Sequence, residues 1–163
     1  MKEILGATGF GVVVLGTSLT LGLTMKNESK TKEFGTAVFY TVWPVLIILL
    51  SVVFGVLLKK LGTPTMSTNK RARLIISLTF VCLMGAMTII YPTTWAISSP
   101  RQRALASLVI SMLMLVLTTV TAFLAESVKK GLGAALAPQI AWLIVANNLA
   151  LNTWRKELEQ NEK

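Results

Sequence analysis

The chain has 163 residues, of which 53% are apolar and only 14% are charged. A soluble domain of this length carries roughly 25% charged residues, so these proportions argue against an ordinary soluble domain. Lysine and arginine outnumber aspartate and glutamate by 16 to 7, but the charges lie in short clusters between charge-free apolar runs. That layout is typical of a multi-pass membrane protein, and we expect no nucleic-acid partner.

Five apolar runs are long enough to cross a bilayer, whose hydrocarbon core is about 30 Å thick. The first run has 22 residues, which is too long for the apolar part of a signal peptide. The predicted spans are residues 4–25, 34–58, 74–91, 104–125 and 132–154. We therefore predict an all-α membrane protein, in which residues 1–163 form a single integral domain built as a five-transmembrane-helix bundle.

Polar connections and prolines divide these spans. Residues 59–73 carry five positive charges and no negative one, and are predicted to form a loop. Pro44 lies inside the second span and predicts a kink, whereas Pro92 is expected to end or bend the third. Counting lysine and arginine gives eight on each side of the membrane, so the charges leave the orientation and the host membrane open.

Small residues four positions apart predict close helix packing in lipid. Such pairs are Ala7 with Gly11, Gly16 with Thr20, Ser18 with Gly22, Ser107 with Ser111, and Thr118 with Ala122.

No aspartate, glutamate, lysine or arginine lies inside any of the five spans, the chain has no histidine, and Cys82 is its one cysteine. An acid–base pair, a catalytic nucleophile or a metal site therefore cannot be assembled in the membrane from the usual residues. Ion-coupled transport generally needs an ionisable group at depth. We expect no enzyme activity, no catalytic residue, no metal site and no required cofactor, and a plain solute transporter is the weakest alternative.

Uncharged polar and aromatic residues remain at depth. The amides of Asn147, Asn148 and Asn152 are expected to face the bundle interior or a cavity, because an amide in lipid needs partners. Two interpretations stay open for them, interhelical hydrogen bonds and a ligand cavity. The indoles of Trp43 and Trp142 would suit a flat, mostly apolar ligand, although anchoring at the membrane interface is a competing role.

The fifth predicted span is similar in sequence to a helix of a known membrane-protein family. The sequence PQIAWLIVANNLALNTWR, residues 138–155, is similar without a gap to the last helix of the translocator protein family (TspO, the peripheral benzodiazepine receptor), which reads P-x-x-A-W-x-x-x-A-x-x-L-x-x-x-x-W-R. Val42, Trp43 and Leu46 resemble that family's V-W-x-x-L helix. The resemblance implies a TspO-like five-helix bundle that binds porphyrins and related tetrapyrroles, or sterols, between its helices.

The family's function would make this chain a membrane receptor or carrier of a flat ligand. Its expected partners are membrane lipids and a porphyrin or sterol. Its expected assembly is a homodimer or a larger membrane complex. On matching positions, the resemblance places the ligand against Trp43, Leu105, Trp142, Ala146 and Leu149. Phe39 lies one turn before Trp43 on the same helix face, and the amide of Asn147 would orient a propionate or a ring nitrogen, so both are added to the predicted site.

The chain also departs from that family. The K-P-S-W-x-P-P motif of the family's first loop is replaced by KNESKTKE at residues 26–33, the fourth-helix aspartate is replaced by an apolar residue near Val109, and Leu151 stands where the family has a tyrosine. These departures favour an alternative function, namely a structural or accessory subunit of a larger membrane complex that keeps the scaffold.

Overall fold

The computed structural model describes residues 6–17, 20 and 35–161, and within them the chain is helical with no strand. The helices are α1 (Gly6–Thr17), α2 (Gly35–Leu61), α3 (Thr68–Ile90), α4 (Pro100–Val128) and α5 (Leu132–Asn161). Helices α2 to α5 are long and apolar enough to cross a membrane, and the described part of α1 is a shorter apolar helix. The predicted all-α multi-pass bundle is confirmed at this level. The first connection and the rest of the predicted first span lie outside the described residues.

The helices extend beyond the apolar runs that predicted them. α3 begins at Thr68, so the predicted loop over residues 59–73 is wrong in its second half. α5 likewise continues to Asn161, past the predicted end at residue 154. The physical reason is that lysine, arginine and glutamate are good helix formers. Loss of hydropathy therefore marks the edge of the membrane core and not the end of the helix.

Prolines define two of the boundaries. Pro92 lies in a 3-10 helix, Tyr91–Ala96, that follows α3 directly, which confirms the predicted end of that span. Pro100 is the first residue of α4, where its missing N–H costs no hydrogen bond. The Ser99 hydroxyl caps this helix by accepting from the Gln102 N–H. By contrast, α2 continues through Pro44.

The long helices follow one another round the bundle in the order α2, α5, α4 and α3, with α3 also contacting α2. The α4–α5 contact is the most extensive and the α2–α5 contact is the smallest among these neighbours. α1 packs on α2 and α3, because Phe10 stacks on Phe54 at 4.5 Å between ring centroids and also lies against Gly85. At Gly11 an added Cβ would lie 2.7 Å from the Ser51 hydroxyl oxygen, so this glycine lets α1 approach α2 closely.

The buried apolar side chains form two clusters at different levels. The larger cluster joins the second half of α2 to α3, the end of α4 and the start of α5, and contains Leu50, Val53, Leu57, Leu74, Val81, Met84, Ala125, Leu132 and Leu136. The smaller cluster consists of Trp43, Met114 and Leu143, near the middle of α4 and α5.

Buried hydroxyls are satisfied within their own helices. Ser51, Thr88 and Thr118 each donate to the backbone carbonyl four residues earlier, at 2.6–2.8 Å. A hydroxyl that bonds its own helix in this way presents little unpaired polarity to an apolar surrounding. These residues therefore fit a membrane interior without forming a binding site.

The turn between α4 and α5 is fixed by one carboxylate. The Glu126 carboxylate accepts from the backbone N–H groups of Gly131 and Gly133 at 2.9–3.0 Å. These are donors at the start of α5 that have no partner inside the helix, and a negative charge is favourable there. Gly131 has φ +88°, a conformation that side chains with a Cβ rarely adopt. The turn thus holds the two helices in close antiparallel contact.

Candidate functional site

Trp43 lies in the bundle interior, where only 6% of its surface is exposed. Its indole packs in the smaller cluster with Met114 and Leu143, and Tyr91 lies beside it with ring centroids 5.8 Å apart. The residue that the sequence placed on the second helix is therefore buried where α2, α4 and α5 meet.

Two buried polar atoms on α5 lack a hydrogen-bond partner in the part of the chain that the structure describes. They are the side-chain oxygen Oε1 of Gln139, a residue only 2% exposed, and the indole nitrogen Nε1 of Trp142. The first is an acceptor and the second is a donor. An unpaired buried polar group is rare in folded proteins and is a reason to look for a missing partner.

Helical geometry places these two side chains together. Gln139 and Trp142 are three residues apart, so they lie on the same side of α5 about one turn from each other. Ala146 follows one turn later on that side. The α4-facing side is occupied instead by Leu143 and Asn147, and α2 is the other neighbour of α5. It follows that Gln139, Trp142 and Ala146 lie on the flank of α5 that adjoins α2.

Asn147 connects α5 to α4. Its Oδ1 accepts a 3.1 Å hydrogen bond from the Ser111 hydroxyl, and its Nδ2 donates to the Leu143 carbonyl at 2.8 Å. Of the two interpretations left open, the interhelical hydrogen bond is the one observed. One N–H of the Asn147 amide remains for any other partner.

Other predicted site residues are not brought to this flank. Leu105 and Leu149 have 45% and 48% of their surface exposed, so both lie on the outside of the bundle. The backbone of Phe39 belongs to α2, but its side chain lies outside the described part of the structure.

The expectation that all three asparagines face the interior is wrong for Asn148 and Asn152, whose side chains are exposed. The reason is the 100° turn between successive residues of a helix, which prevents Asn147 and Asn148 from sharing one face.

A groove that the sequence did not indicate lies on the other flank of α5. Its volume is about 340 Å³, and it is lined by Thr119, Ala122, Phe123, Glu126, Gly133, Ala134 and Ile140. The lining is almost wholly apolar, and its one carboxylate is already bonded to the turn. The small residues Ala122, Gly133 and Ala134 are the sequence feature from which this groove could have been predicted.

Gln139 is the functional candidate that sequence reasoning missed. It lies between apolar residues in a charge-free span, as Asn147 does, but it belongs to no recognised motif. Only its burial and its unpaired oxygen distinguish it from a polar residue at the surface. Comparison with known proteins finds no matching family model, no matching curated protein and no matching solved structure.

Proposed function

We propose that this multi-pass membrane protein binds a flat, mostly apolar ligand between α2 and α5, at the flank that carries Gln139 and Trp142. The observation behind the proposal is the pair of buried atoms without partners, Gln139 Oε1 and Trp142 Nε1. Leaving each such group unpaired costs about 1–3 kcal/mol. A ligand that brings one acceptor and one donor to this place would recover that free energy on binding.

The chemistry of the two atoms defines the ligand class. The indole N–H needs an acceptor, and the glutamine oxygen needs a donor, within one helical turn of each other. A sterol hydroxyl supplies both from a single oxygen, and a porphyrin supplies both from one protonated propionic acid group. The apolar surroundings of Trp43 and Leu143 suit the rest of either molecule. Both classes agree with the resemblance to the translocator protein family, and we propose a porphyrin first.

The proposed activity is binding, as in a receptor or carrier, and not catalysis. No aspartate, glutamate, lysine, arginine or histidine occurs in the predicted spans, so neither proton transfer nor ion-coupled transport has one of its usual groups to act through there. Hydrophobic contact and stacking would provide most of the affinity. The protein needs no cofactor for this role.

A second candidate function is a structural subunit of a larger membrane assembly. The observation that favours it is the outward position of Asn148 and Asn152, because an amide at the lipid-facing surface is expected to meet another protein. In that case Gln139 and Trp142 would bind internal water or a neighbouring helix and would have no ligand.

Titration of the purified protein with protoporphyrin, followed by tryptophan fluorescence, tests the first proposal. Stacking on an indole should quench emission in a saturable way. Trp142→Ala removes a partner worth about 0.5–1.5 kcal/mol beyond its buried area and should weaken binding roughly tenfold. Trp154→Ala is the matched control, since this indole lies three turns further along α5. Lys70→Ala controls for simple attraction of an anionic porphyrin to the basic connection.

Gln139→Leu separates binding from folding. It removes an unpaired acceptor, so the ligand-free protein should unfold at a higher temperature, while porphyrin binding should weaken about two- to tenfold through loss of one hydrogen bond. Equal losses from Trp142→Ala and Trp154→Ala, or unchanged affinity in Gln139→Leu, would reject the site and favour the structural subunit. A cholesterol analogue that binds where porphyrin does not would identify the sterol class.

A further inference from the structure

One end of the bundle carries most of the positive charge that the structure describes. The larger core cluster includes Leu57, Leu74, Ala125 and Leu132, so it brings the end of α2, the start of α3 and the turn between α4 and α5 together at this end. Seven cations lie within four residues of these positions. They form what we call the basic rim, which consists of Lys59, Lys60, Lys70, Arg71, Arg73, Lys129 and Lys130. All of them are exposed except Lys60, which is half-buried.

The basic rim has little compensating charge within the described part of the chain. The one carboxylate there is that of Glu126, which already accepts from the backbone N–H groups of Gly131 and Gly133. The charged residues described at the opposite end are Arg101, Arg103, Arg155, Lys156, Glu157 and Glu159. The net charge of the described residues is therefore +6 at the end with the basic rim and +2 at the other. An anionic partner would be attracted to the first of these ends.

The basic rim lies at the depth of lipid headgroups. Arg73 directly precedes the charge-free run 74–91, and Lys59 directly follows the run 34–58. At 1.5 Å per residue, every cation of the rim is within about 6 Å of the end of a charge-free run. The headgroup layer outside the hydrocarbon core is about 5–8 Å thick. The cations therefore lie among the lipid phosphates of that leaflet.

The groove between α4 and α5 begins at the basic rim. Its lining residues Glu126 and Gly133 stand on either side of the turn that contains the last two lysines of the rim, and its other end is formed by Thr119 and Ile140. Seven residues of helix separate the two ends, so the groove reaches about 10 Å into the membrane. Phe123 lines it with 76% of its surface exposed, which places the groove on the outside of the bundle, where lipid chains lie.

We infer that an anionic phospholipid binds here, with one acyl chain in the groove and its phosphate beside Lys129 and Lys130. The other cations of the basic rim add a positive potential that favours an anionic headgroup over a zwitterionic one. An acidic protein segment would use the charges but would leave the apolar groove empty, so the lipid fits both features. The groove and the flank with Gln139 and Trp142 are on different sides of α5, and the inference is independent of the proposed ligand.

Native mass spectrometry of the whole protein in detergent tests the headgroup preference. The probes are dioleoyl phosphatidylglycerol and dioleoyl phosphatidylcholine in equal amounts, which have the same chains and differ in headgroup charge. We expect the unmodified protein to retain mainly phosphatidylglycerol. Lys129→Gln combined with Lys130→Gln should lower the ratio of the two retained lipids about fivefold for each charge removed. Arg155→Gln combined with Lys156→Gln is the matched control, because it removes two exposed cations at the opposite end, and it should leave the ratio nearly unchanged.

Two variants test the groove separately from the charges. Ala134 is exposed and lines the groove, so Ala134→Phe should fill the groove without entering the core and should lower retention of both lipids severalfold. Phe123→Ala removes a wall of the groove and should act in the same direction, whether or not the larger side chain at position 134 is tolerated. Glycerol phosphate carries the headgroup charge without an acyl chain and should not displace phosphatidylglycerol.

Three results would overturn the inference. The first is equal retention of the two lipids by the unmodified protein. The second is an equal change of the ratio in the lysine variant and in its control at the opposite end. The third is a loss of phosphatidylglycerol in the lysine variant with no effect of either groove variant, or its displacement by glycerol phosphate. That third result would mean that the basic rim attracts anions, such as an acidic segment of another protein, without holding a lipid.

Discussion

Replacing Gly133 by alanine should separate the α4–α5 hairpin. A Cβ at this position would lie 2.8 Å from the backbone oxygen of Ala122 and 3.1 Å from Glu126 Oε2. Comfortable carbon–oxygen contact needs roughly 0.6 Å more than the shorter of these distances. The obstructing atom belongs to the backbone of α4, so a side-chain rotation cannot relieve the contact and the helices themselves must shift.

The expected cost of Gly133→Ala is about 1–3 kcal/mol, the usual cost of overfilling a packed contact. The shift would also strain the hydrogen bond from the Gly133 N–H to Glu126. Gly16→Ala is the matched control, because nothing lies within 4 Å of a Cβ added there and alanine favours a helix by about 0.5–1 kcal/mol. Thermal unfolding of both proteins in the same detergent measures the difference. Equal unfolding temperatures for the two variants would refute the close approach of α5 to α4.

Other substitutions in α4, α5 and the turn between them probe the same hairpin. Gly131→Ala should destabilise the protein by about 1–2 kcal/mol because of its positive φ, while Gly131→Asn should cost less, as read from thermal unfolding. Glu126→Ala should lower the unfolding temperature more than Glu126→Gln, which keeps an acceptor for the start of α5. Ser111→Ala should cost about 0.6–1.7 kcal/mol, and a double-mutant cycle with Asn147→Leu should show coupling of that size. Absence of coupling would contradict the interhelical bond.

The positions of the membrane helices were predictable because charge is excluded from a bilayer core. Their ends were not, since residues 68–73 and 155–161 are mostly charged or polar and yet helical. Nothing in hydropathy distinguishes a charged loop from a charged helix end. Helix propensity would have been the better guide there.

The direction of individual side chains was harder to predict. Asn147 was expected at an interhelical contact or in a cavity, and the contact with Ser111 is observed. Asn148, its neighbour in sequence, was assigned the same side although a helix turns by 100° at each residue. Its exposure follows from that geometry once Asn147 is fixed. The error concealed the outward position of Asn148.

Gln139 could not be recognised from the sequence as part of a site. Its significance comes from burial without a partner, which depends on how α2 and α5 approach each other. Trp142 was predicted from the family resemblance, and the structure adds that its indole N–H is buried and unpaired. The proposed site requires that these two side chains bind the same ligand.

The indole N–H signal of Trp142 tests the proposed ligand site most directly. The chain has four tryptophans, so ¹⁵N-tryptophan labelling gives four indole signals in a nuclear magnetic resonance spectrum, and Trp142→Phe assigns the relevant one. We expect protoporphyrin to shift the Trp142 signal in a saturable way and to leave that of Trp154 nearly unchanged. A Trp142 signal that stays in place at saturating porphyrin, or a Trp154 signal that moves equally, would contradict a ligand site between α2 and α5.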